Sequence, residues 1–223
     1  MIEGMRRELE GAPTHVDPTF VGLTVKRPGR GRPVLFTGGF GDGSIADADI
    51  EARPDGTIAE FFEPGDFDAS FRIMRAAMGD VGLPTGQPNL RRFEIRGIAD
   101  NTPVMYAGTI QNSGGVLIEF QSPGHSGTVA VVPGQFPEVY ESPTGGPGDF
   151  SFDEVSPAVF EKVRADAMRR GNVDAFDRNA VDIQMWTVFQ PDNKPVIMVE
   201  MAREDASAGT YSPTGDLIEA GVH

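Results

Sequence analysis

Residues 116–132 have the sequence VLIEFQSPGHSGTVAVV, and they indicate the fold class more clearly than any other part of the chain. Two runs rich in β-branched and apolar residues flank Ser122–Gly127, whose proline and glycines are typical of a turn. Residues 92–98 and 104–110, on the N-terminal side, have the same character. We therefore predict four consecutive antiparallel strands in this part of the chain.

Further strand signals lie on both sides of this group. The turn sequence PGRGRP at residues 28–33 and the tight-turn signal Pro54-Asp55-Gly56 each separate two short runs with strand character. Another such pair precedes the C-terminal residues. The strands predicted outside the central group are 20–27, 34–37, 50–52, 57–62, 182–190 and 196–201.

The first of two helical segments lies between these strands. Apolar residues recur every three or four positions from Phe67 to Met78, which predicts a helix over about 68–80. Asp66 or Asp68 is placed to cap its first turn.

The second helical segment has the clearest end signals in the chain. Ser156 is typical of an N-cap, Pro157 of the first helical position, and Gly171 of the residue that follows a helix. This predicts a helix over about 157–170. Two main helices among eight or more strands predict a β-rich α+β fold, with an antiparallel sheet or a partly closed barrel or sandwich.

The domain organisation predicted is one globular domain with an extension at each end. Residues 1–12 have the pattern of a short helix weakened by Gly4 and Gly11, and we interpret them as an N-terminal arm. Residues 13–203 are predicted to form a single globular domain. Residues 204–223 have no periodicity and are interpreted as a C-terminal tail. The sequence contains no internal repeat.

The composition excludes several classes of protein. The 223 residues contain no cysteine, which excludes disulfides, thiolate catalysis and zinc–thiolate sites. A net charge of −14 repels nucleic acid at long range, so no nucleic-acid partner is expected. The N-terminus lacks the apolar core of a secretory signal, and no run of about 18 apolar residues exists. We expect a soluble protein without a membrane partner, and the sequence does not specify whether it resides in a virion or in the cytoplasm.

The most uneven feature is a stretch almost without charge. Glu119 is the single charged residue among the 37 from Asn101 to Pro137, where a composition of 23% charged residues predicts about eight. The strands predicted there are apolar on both faces, which favours either a sheet covered on both sides within the chain or a face packed against another subunit. A hairpin inserted into a membrane is a third interpretation. The interface candidates are Val104, Tyr106, Ile110, Val116, Ile118 and Phe120.

A cluster of cations lies in this acidic chain. Residues 1–32 carry a net charge of +2, and the remaining residues carry −16. The predicted binding residues are Lys26, Arg27, Arg30 and Arg32. A complementary surface on another subunit would fit this cluster, as would a phosphate approached by the backbone of Gly29 and Gly31, and a solvated turn without a partner is the alternative. The P-loop spacing is absent, and no cofactor is expected.

Two other motifs match known sites only in part. The acidic stretch Asp42–Glu51 places three carboxylates on one face of an extended segment but does not follow the calcium-loop pattern. The sequence Gly124-His125-Ser126-Gly127-Thr128 has Thr in place of the last glycine of a nucleophile elbow, and a strand follows it instead of a helix. We therefore predict neither a metal site nor catalytic residues.

Three classes of function follow from these observations. The first is a non-enzymatic structural protein that packs into an oligomer or particle, for example a virion head or tail component. The second is a monomeric acidic module that binds or inhibits a basic partner. The third is a small hydrolase that uses carboxylates or Ser126. We favour the first, with further copies of the chain or other protein subunits as partners, because it accounts for the uneven charge and the lack of catalytic motifs.

Overall fold

The computed structural model describes residues 1–11, 17–27, 33–41, 48–97, 114–187, 194–201 and 205–221. The α-helices in these ranges are α1 (Ile2–Glu10), α2 (Phe67–Asp80) and α3 (Pro157–Gly171). The strands are β1 (Phe20–Lys26), β2 (Leu35–Phe40), β3 (Ala48–Ala52), β4 (Leu90–Arg96), β5 (Gly115–Ser122), β6 (His125–Val131), β7 (Glu138–Ser142), β8 (Val181–Trp186), β9 (Val196–Met201), β10 (Gly209–Tyr211) and β11 (Leu217–Ala220).

The strands form two antiparallel sheets. The small sheet has the order β1-β2-β3, and the large sheet has the order β11-β10-β9-β8-β4-β5-β6-β7. Neither closes into a barrel within the described ranges, and the prediction of a β-rich α+β fold is confirmed. The chain divides into two compact units, Met1–Glu63 with Val132–Phe136, and Pro64–Val131 with Pro137–His223, whereas the sequence predicts one domain between an arm and a tail.

The first unit is built around the small sheet. Met5 and Leu9 on one face of α1 are buried in a cluster with Phe40 and Ile50 of the sheet. Gly38 in β2 makes room for this helix, because a Cβ at Gly38 would lie 2.8 Å from the Met5 sulfur. The predicted arm therefore contributes to a hydrophobic core.

The second unit contains the same order of elements twice. α2 precedes the meander β4-β5-β6-β7, and α3 precedes the meander β8-β9-β10-β11. The first strands of the two meanders, β4 and β8, pair antiparallel and join them into one sheet. The two halves share this arrangement although their sequences do not repeat.

An aromatic cluster joins both helices to the large sheet. The rings of Phe71 in α2 and Phe160 in α3 lie 4.9 and 5.6 Å from the ring of Phe93 in β4. Side chains alternate along a strand, so Phe93 and Ile95 share the face that the helices cover. Arg92, Glu94 and Arg96 point to the opposite face.

The helix starts follow the predicted signals. The Asp66 carboxylate accepts a hydrogen bond from the Ala69 N–H at 3.1 Å, which caps α2. The Ser156 hydroxyl accepts one from the Val159 N–H at 3.3 Å, which caps α3. Each cap satisfies an N–H group that the first helical turn leaves without a partner.

The end of α3 corrects the prediction made for Gly171. Gly171 is the last helical residue, and Asn172, with a φ of 50°, takes the left-handed conformation that ends the helix. Asparagine tolerates this conformation better than most residues. Glycine is required at position 171 for a different reason, because a Cβ there would lie 2.7 Å from the Cβ of Ser207.

The predicted tail contains two strands of the large sheet, β10 and β11. Arg170 of α3 holds this segment, because its guanidinium donates to the carbonyls of residues 206–208 at 2.7 to 3.0 Å. It also donates to the Tyr211 hydroxyl at 2.7 Å, and both groups donate to the Asp166 carboxylate. These strands are too short for alternation to reveal them, and contacts to a distant helix specify them.

Other strand predictions differ in detail. The strand predicted over 57–62 is reduced to one bridge, between Ile58 and Ala52. Two segments form hydrogen bonds with the outer side of β3. The Glu51 N–H donates to the Gly134 carbonyl, and the Glu51 carbonyl accepts a hydrogen bond from the Ala59 N–H. β7 has no counterpart among the predicted strands. The strand predicted over 104–110 lies outside the described residues.

Candidate functional site

β1 forms the open edge of the small sheet. The opposite edge, β3, is covered by the backbone hydrogen bonds to Gly134 and Ala59. Within the described residues β1 pairs with β2 and with no other strand. Its outer row of backbone groups therefore has no strand partner in the part of the chain that the structure describes, and such a row can pair with another chain.

Three large apolar side chains of β1 are exposed. Val21, Leu23 and Val25 retain 70%, 44% and 48% of their possible exposure. Leu23 lies opposite Gly38 in β2, and glycine offers no side chain to cover it. A bulge between Phe20 and Gly22 leaves Val21 without a partner in β2. Apolar exposure and an open backbone edge thus coincide on one strand.

The predicted basic cluster lies at the end of this strand. The Lys26 ammonium donates to the Glu51 carboxylate at 3.0 Å, so this cation is paired within the chain. Arg27 is exposed. Arg30 and Arg32 lie outside the described residues. The binding role of the four cations stays a prediction.

The large sheet has two further edges, which are shorter and carry acidic side chains. β7 has five residues, and its exposed side chains are Glu138, Tyr140 and Glu141. β11 has four residues and exposes Leu217 and Ile218. Of the eight exposed large apolar side chains in the described ranges, six therefore lie on the edge strands β1, β7 and β11.

The charge-poor stretch supplies the centre of the second unit. Val116, Ile118 and Phe120 in β5 are almost completely buried within the chain, which leaves no side-chain surface at these positions for another subunit. Leu117, on the opposite face of β5, is also buried. This arrangement agrees with a sheet covered on both sides. The other three interface candidates, Val104, Tyr106 and Ile110, lie outside the described residues.

A row of alternating charges crosses the face of the large sheet opposite the helices. Arg96 Nη2 lies 2.7 Å from Asp182 Oδ2 and 2.9 Å from Glu94 Oε1. Arg92 contacts the other oxygen of Glu94 at 2.5 Å and Glu119 at 3.4 Å. We call these five residues the charge row. Both oxygens of Glu94 are occupied by arginines, so the row has the properties of a structural network.

Burial shapes the acid–base behaviour of the charge row. Burial, and then the negative charge of Asp182, raises the pKa of Glu94 against the opposing effect of Arg92 and Arg96. Burial also raises the pKa of Asp182, although Arg96 pulls it in the opposite direction. Both carboxyl groups are therefore easier to protonate in the folded chain than in a peptide.

Sequence reasoning did not identify the charge row, although a signal for it exists. Arg92, Glu94 and Arg96 alternate with Phe93 and Ile95, which is the pattern of a strand with one charged face. The pairing of Arg96 with Asp182 across 86 residues has no such local signal.

The partial nucleophile elbow does not form a catalytic pair. The Ser126 hydroxyl donates to the carbonyl of Thr144 and not to a histidine. The His125 ring lies against Phe120, with its Nε2 3.5 Å from the Glu141 carboxylate. Gly124, with a φ of 78°, forms the tight turn that links β5 to β6, so Ser126 lies in a hairpin and not in a strand–turn–helix element.

The acidic stretch shows no cation site in its described part. Glu51 is buried, and its carboxylate accepts hydrogen bonds from Lys26 and from the Phe136 N–H. Asp49 is exposed, and Asp42 and Asp47 lie outside the described residues. Across the described ranges no three His, Asp or Glu side chains gather in a way that would hold a metal ion.

The described helices are all too short or too polar to cross a membrane. No protein-family model, curated protein or solved structure matches this chain.

Proposed function

We propose that this chain is a non-enzymatic structural protein whose copies assemble through the edges of their sheets. The observation that carries the proposal is the concentration of exposed apolar side chains on edge strands, above all Val21, Leu23 and Val25 on β1. An open edge with apolar side chains is an aggregation hazard in a monomer, and natural proteins protect such edges or use them for assembly. A virion head or tail component is the finer form of this proposal.

The distribution of charge supports the same proposal. The residues outside the first 32 carry a net charge of −16, whereas the first 32 have a net charge of +2. β1 therefore lies in a segment of the sequence that does not share the negative charge of the rest of the chain. A surface that evolved for solubility alone would not need this contrast.

The test is the native mass of the full chain across a wide concentration range, by sedimentation velocity. We expect particles of at least twice the chain mass of 23.9 kDa, with the amides of β1 protected from hydrogen exchange in the assembled form. Material from the natural source should be measured as well, since assembly there includes any other subunits. A monomer at every concentration and from both sources would overturn the proposal.

A second candidate function rests on β7, an edge strand of the large sheet that carries acidic side chains. β7 exposes Glu138 and Tyr140 on one face, where the Tyr140 hydroxyl donates to the Glu138 carboxylate at 3.1 Å, and this combination of a carboxylate with an aromatic ring suits a cationic segment of a basic partner. Such a complex would weaken as salt is added, because its attraction is between exposed charges. If association instead becomes stronger as salt is added, the result favours assembly through apolar contacts.

A further inference from the structure

Of the three sheet edges that are open among the described strands, β1 is the least protected against pairing. It has seven residues, against five in β7 and four in β11. The seven residues of β1 contain one charge, Lys26 at the end of the strand, whereas the five residues of β7 contain two glutamates and the four of β11 contain one. Short length and charged side chains are the devices by which edge strands avoid each other. β1 uses them least.

We propose that β1 pairs antiparallel with β1 of a second copy of this chain, across a two-fold axis at Leu23. The inference rests on the proposed function and names the partner of its main surface. The result is a continuous six-stranded sheet formed from two small sheets. A two-fold contact of one surface with itself is the commonest way in which protein chains form dimers.

The sequence of β1 is suited to this register. From Val21 to Val25 it has the order apolar, small, apolar, small, apolar, which is the same in both directions. An axis at Leu23 places the two Leu23 side chains opposite each other and each Val21 opposite Val25 of the second copy. Side chains directly opposite in antiparallel strands lie about 4.5–5.5 Å apart at Cβ, so the apolar side chains would cover one another.

The charges at the ends of β1 favour a second copy in this direction. Asp17 precedes the strand, and Arg27 follows it. Antiparallel pairing brings the Arg27 end of one strand beside the Asp17 end of the other. Opposite charges therefore meet at both ends of the joint, whereas parallel pairing would bring like charges together.

The neighbouring strand explains why the apolar side chains need such a partner. Leu23 lies opposite Gly38, and Gly22 lies opposite Gly39, so β2 presents glycine at both central positions. Gly38 is required for the approach of Met5 from α1. The contact that builds the core of the first unit thus leaves Leu23 uncovered at the edge.

Cysteine crosslinking tests the register, because the chain contains no cysteine of its own. In the full-length protein, Leu23→Cys places two thiols on the axis, within the Cα separation of about 4.4–6.8 Å that a disulfide requires. We expect mild oxidation to convert most of this variant to a species of twice the chain mass on a non-reducing gel. Thr24→Cys is the matched control, since it lies on the opposite face, opposite Gly22 of the second copy, and should remain at the chain mass.

A charge substitution gives an independent measurement. Leu23→Lys brings two ammonium groups together on the axis, and its sedimenting mass should fall to half that of the unmodified chain. Thr24→Lys adds the same charge on the other face and should keep the original mass. Both positions are exposed, and an unchanged circular dichroism spectrum verifies that the variants fold.

The outcomes separate this inference from the proposed function. If the unmodified chain assembles but Leu23→Cys does not crosslink and Leu23→Lys keeps its mass, the pairing of β1 is overturned and the assembly proposal stands. If Ile218→Cys on β11 crosslinks and Leu23→Cys does not, the pairing of β1 is likewise overturned and the assembly proposal stands. If the unmodified chain is a monomer throughout, the proposed function itself is overturned.

Discussion

Asp166 connects the acid–base behaviour of one side chain to the stability of the C-terminal strands. Burial alone would raise the pKa of Asp166, but hydrogen bonds from Tyr211 and Arg170, together with the charge of Arg169, outweigh it and lower that pKa below 3.8. A carboxyl group whose pKa is lower in the folded state than in the unfolded state stabilises the fold at pH values above its unfolded-state pKa. This stabilisation is lost as the pH falls through the folded-state pKa.

We expect Asp166→Asn to lower the free energy of unfolding by about 1–3 kcal/mol at neutral pH, as is typical of a lost hydrogen bond to a charged group. The difference from the unmodified chain should shrink as the pH falls below 3.8, where the native carboxylate is itself protonated. Urea unfolding at a series of pH values measures both effects. A difference of constant size down to the lowest pH would contradict the assigned role of the carboxylate charge.

The pKa shift of Glu94 has the opposite sign to that of Asp166, so its effect on stability changes with pH in the opposite direction. Its pKa is raised above 4.5 by burial, so its contribution to stability is present below the unfolded value and is lost as the pH rises through the folded value. We expect Glu94→Gln to remove this part of the pH dependence, which makes the stability of the variant less dependent on pH above 4.5. The measurement is the slope of unfolding free energy against pH, and an unchanged slope would show that Glu94 does not titrate in this window.

At the scale of single residues, sequence reasoning identifies groups whose partners are close along the chain. Ser156, and Asp66 or Asp68, are predicted as caps because a cap bonds to a residue three positions later, and the structure has Asp66 in this role. Asp182, which pairs with Arg96, and residues 206–208, which accept hydrogen bonds from Arg170, lie in other elements, so these contacts are not predictable locally. The cap at Asn172 was missed because glycine at 171 fits the usual pattern equally well.

Among the secondary-structure elements, α3 has a second function as the support of the last strands. Arg170→Met keeps an unbranched apolar stem but removes the hydrogen bonds that Arg170 donates to residues 206–208 and to Tyr211. We expect the amides of β10 and β11 to lose protection from hydrogen exchange and the free energy of unfolding to fall by about 2–4 kcal/mol. Arg169→Met is the control, because Arg169 is 76% exposed and an exposed ion pair contributes little. Equal effects of the two variants would contradict this support by Arg170.

The helix α1 allows a similar test in the first unit. Leu9→Ala removes a buried side chain from the cluster with Phe40 and Ile50, and we expect a loss of about 2–5 kcal/mol. Exchange protection of β2 and β3 should fall with it. Glu10→Ala changes the neighbouring exposed residue and should have little effect. If Leu9→Ala leaves β2 and β3 fully protected, α1 is a dispensable arm.

Elements with a repeating pattern or end signals were predictable, and elements defined by their environment were not. α2 and α3 lie within one residue of their predicted bounds because periodicity and caps act locally. β10 and β11 have three and four residues, which is too short for a period-two pattern to stand out. Gly4 and Gly11 made α1 unfavourable by propensity, and burial of Met5 and Leu9 outweighs that cost.

For the whole molecule, the charge distribution predicts how assembly responds to salt. Copies with a net charge of −14 repel each other, and added salt screens that repulsion without weakening apolar contacts. We therefore expect the fraction of assembled chain to increase with salt concentration at neutral pH, as measured by sedimentation. A fraction that falls steeply with salt would instead indicate contacts dominated by opposite charges, as in the binding of a basic partner.

The overall architecture was predictable up to the pairing of distant strands. Hairpins such as 116–132 follow from turn signals between adjacent runs, and they correctly indicate an antiparallel sheet. No turn links β4 to β8, so the sequence contains no local signal for their pairing. The repeated order of a helix and a four-stranded meander is not visible as a sequence repeat. For the candidate site at β1, the sequence predicts only the basic residues. The apolar side chains alternate along the segment as in any strand, so they give no separate signal of a site.

The joint between β4 and β8 has a consequence for the route by which the second unit folds. Every other neighbouring pair in the large sheet follows directly along the chain, but the bond from Arg96 to Asp182 closes a loop of 86 residues. The entropy of closing that loop is lost before its contacts are gained, which slows folding. We expect pairing at the joint to be formed in the transition state, before the outer strands of the two meanders have joined the sheet. Substitutions at the joint should therefore slow refolding, while substitutions in the outer strands should mainly speed unfolding.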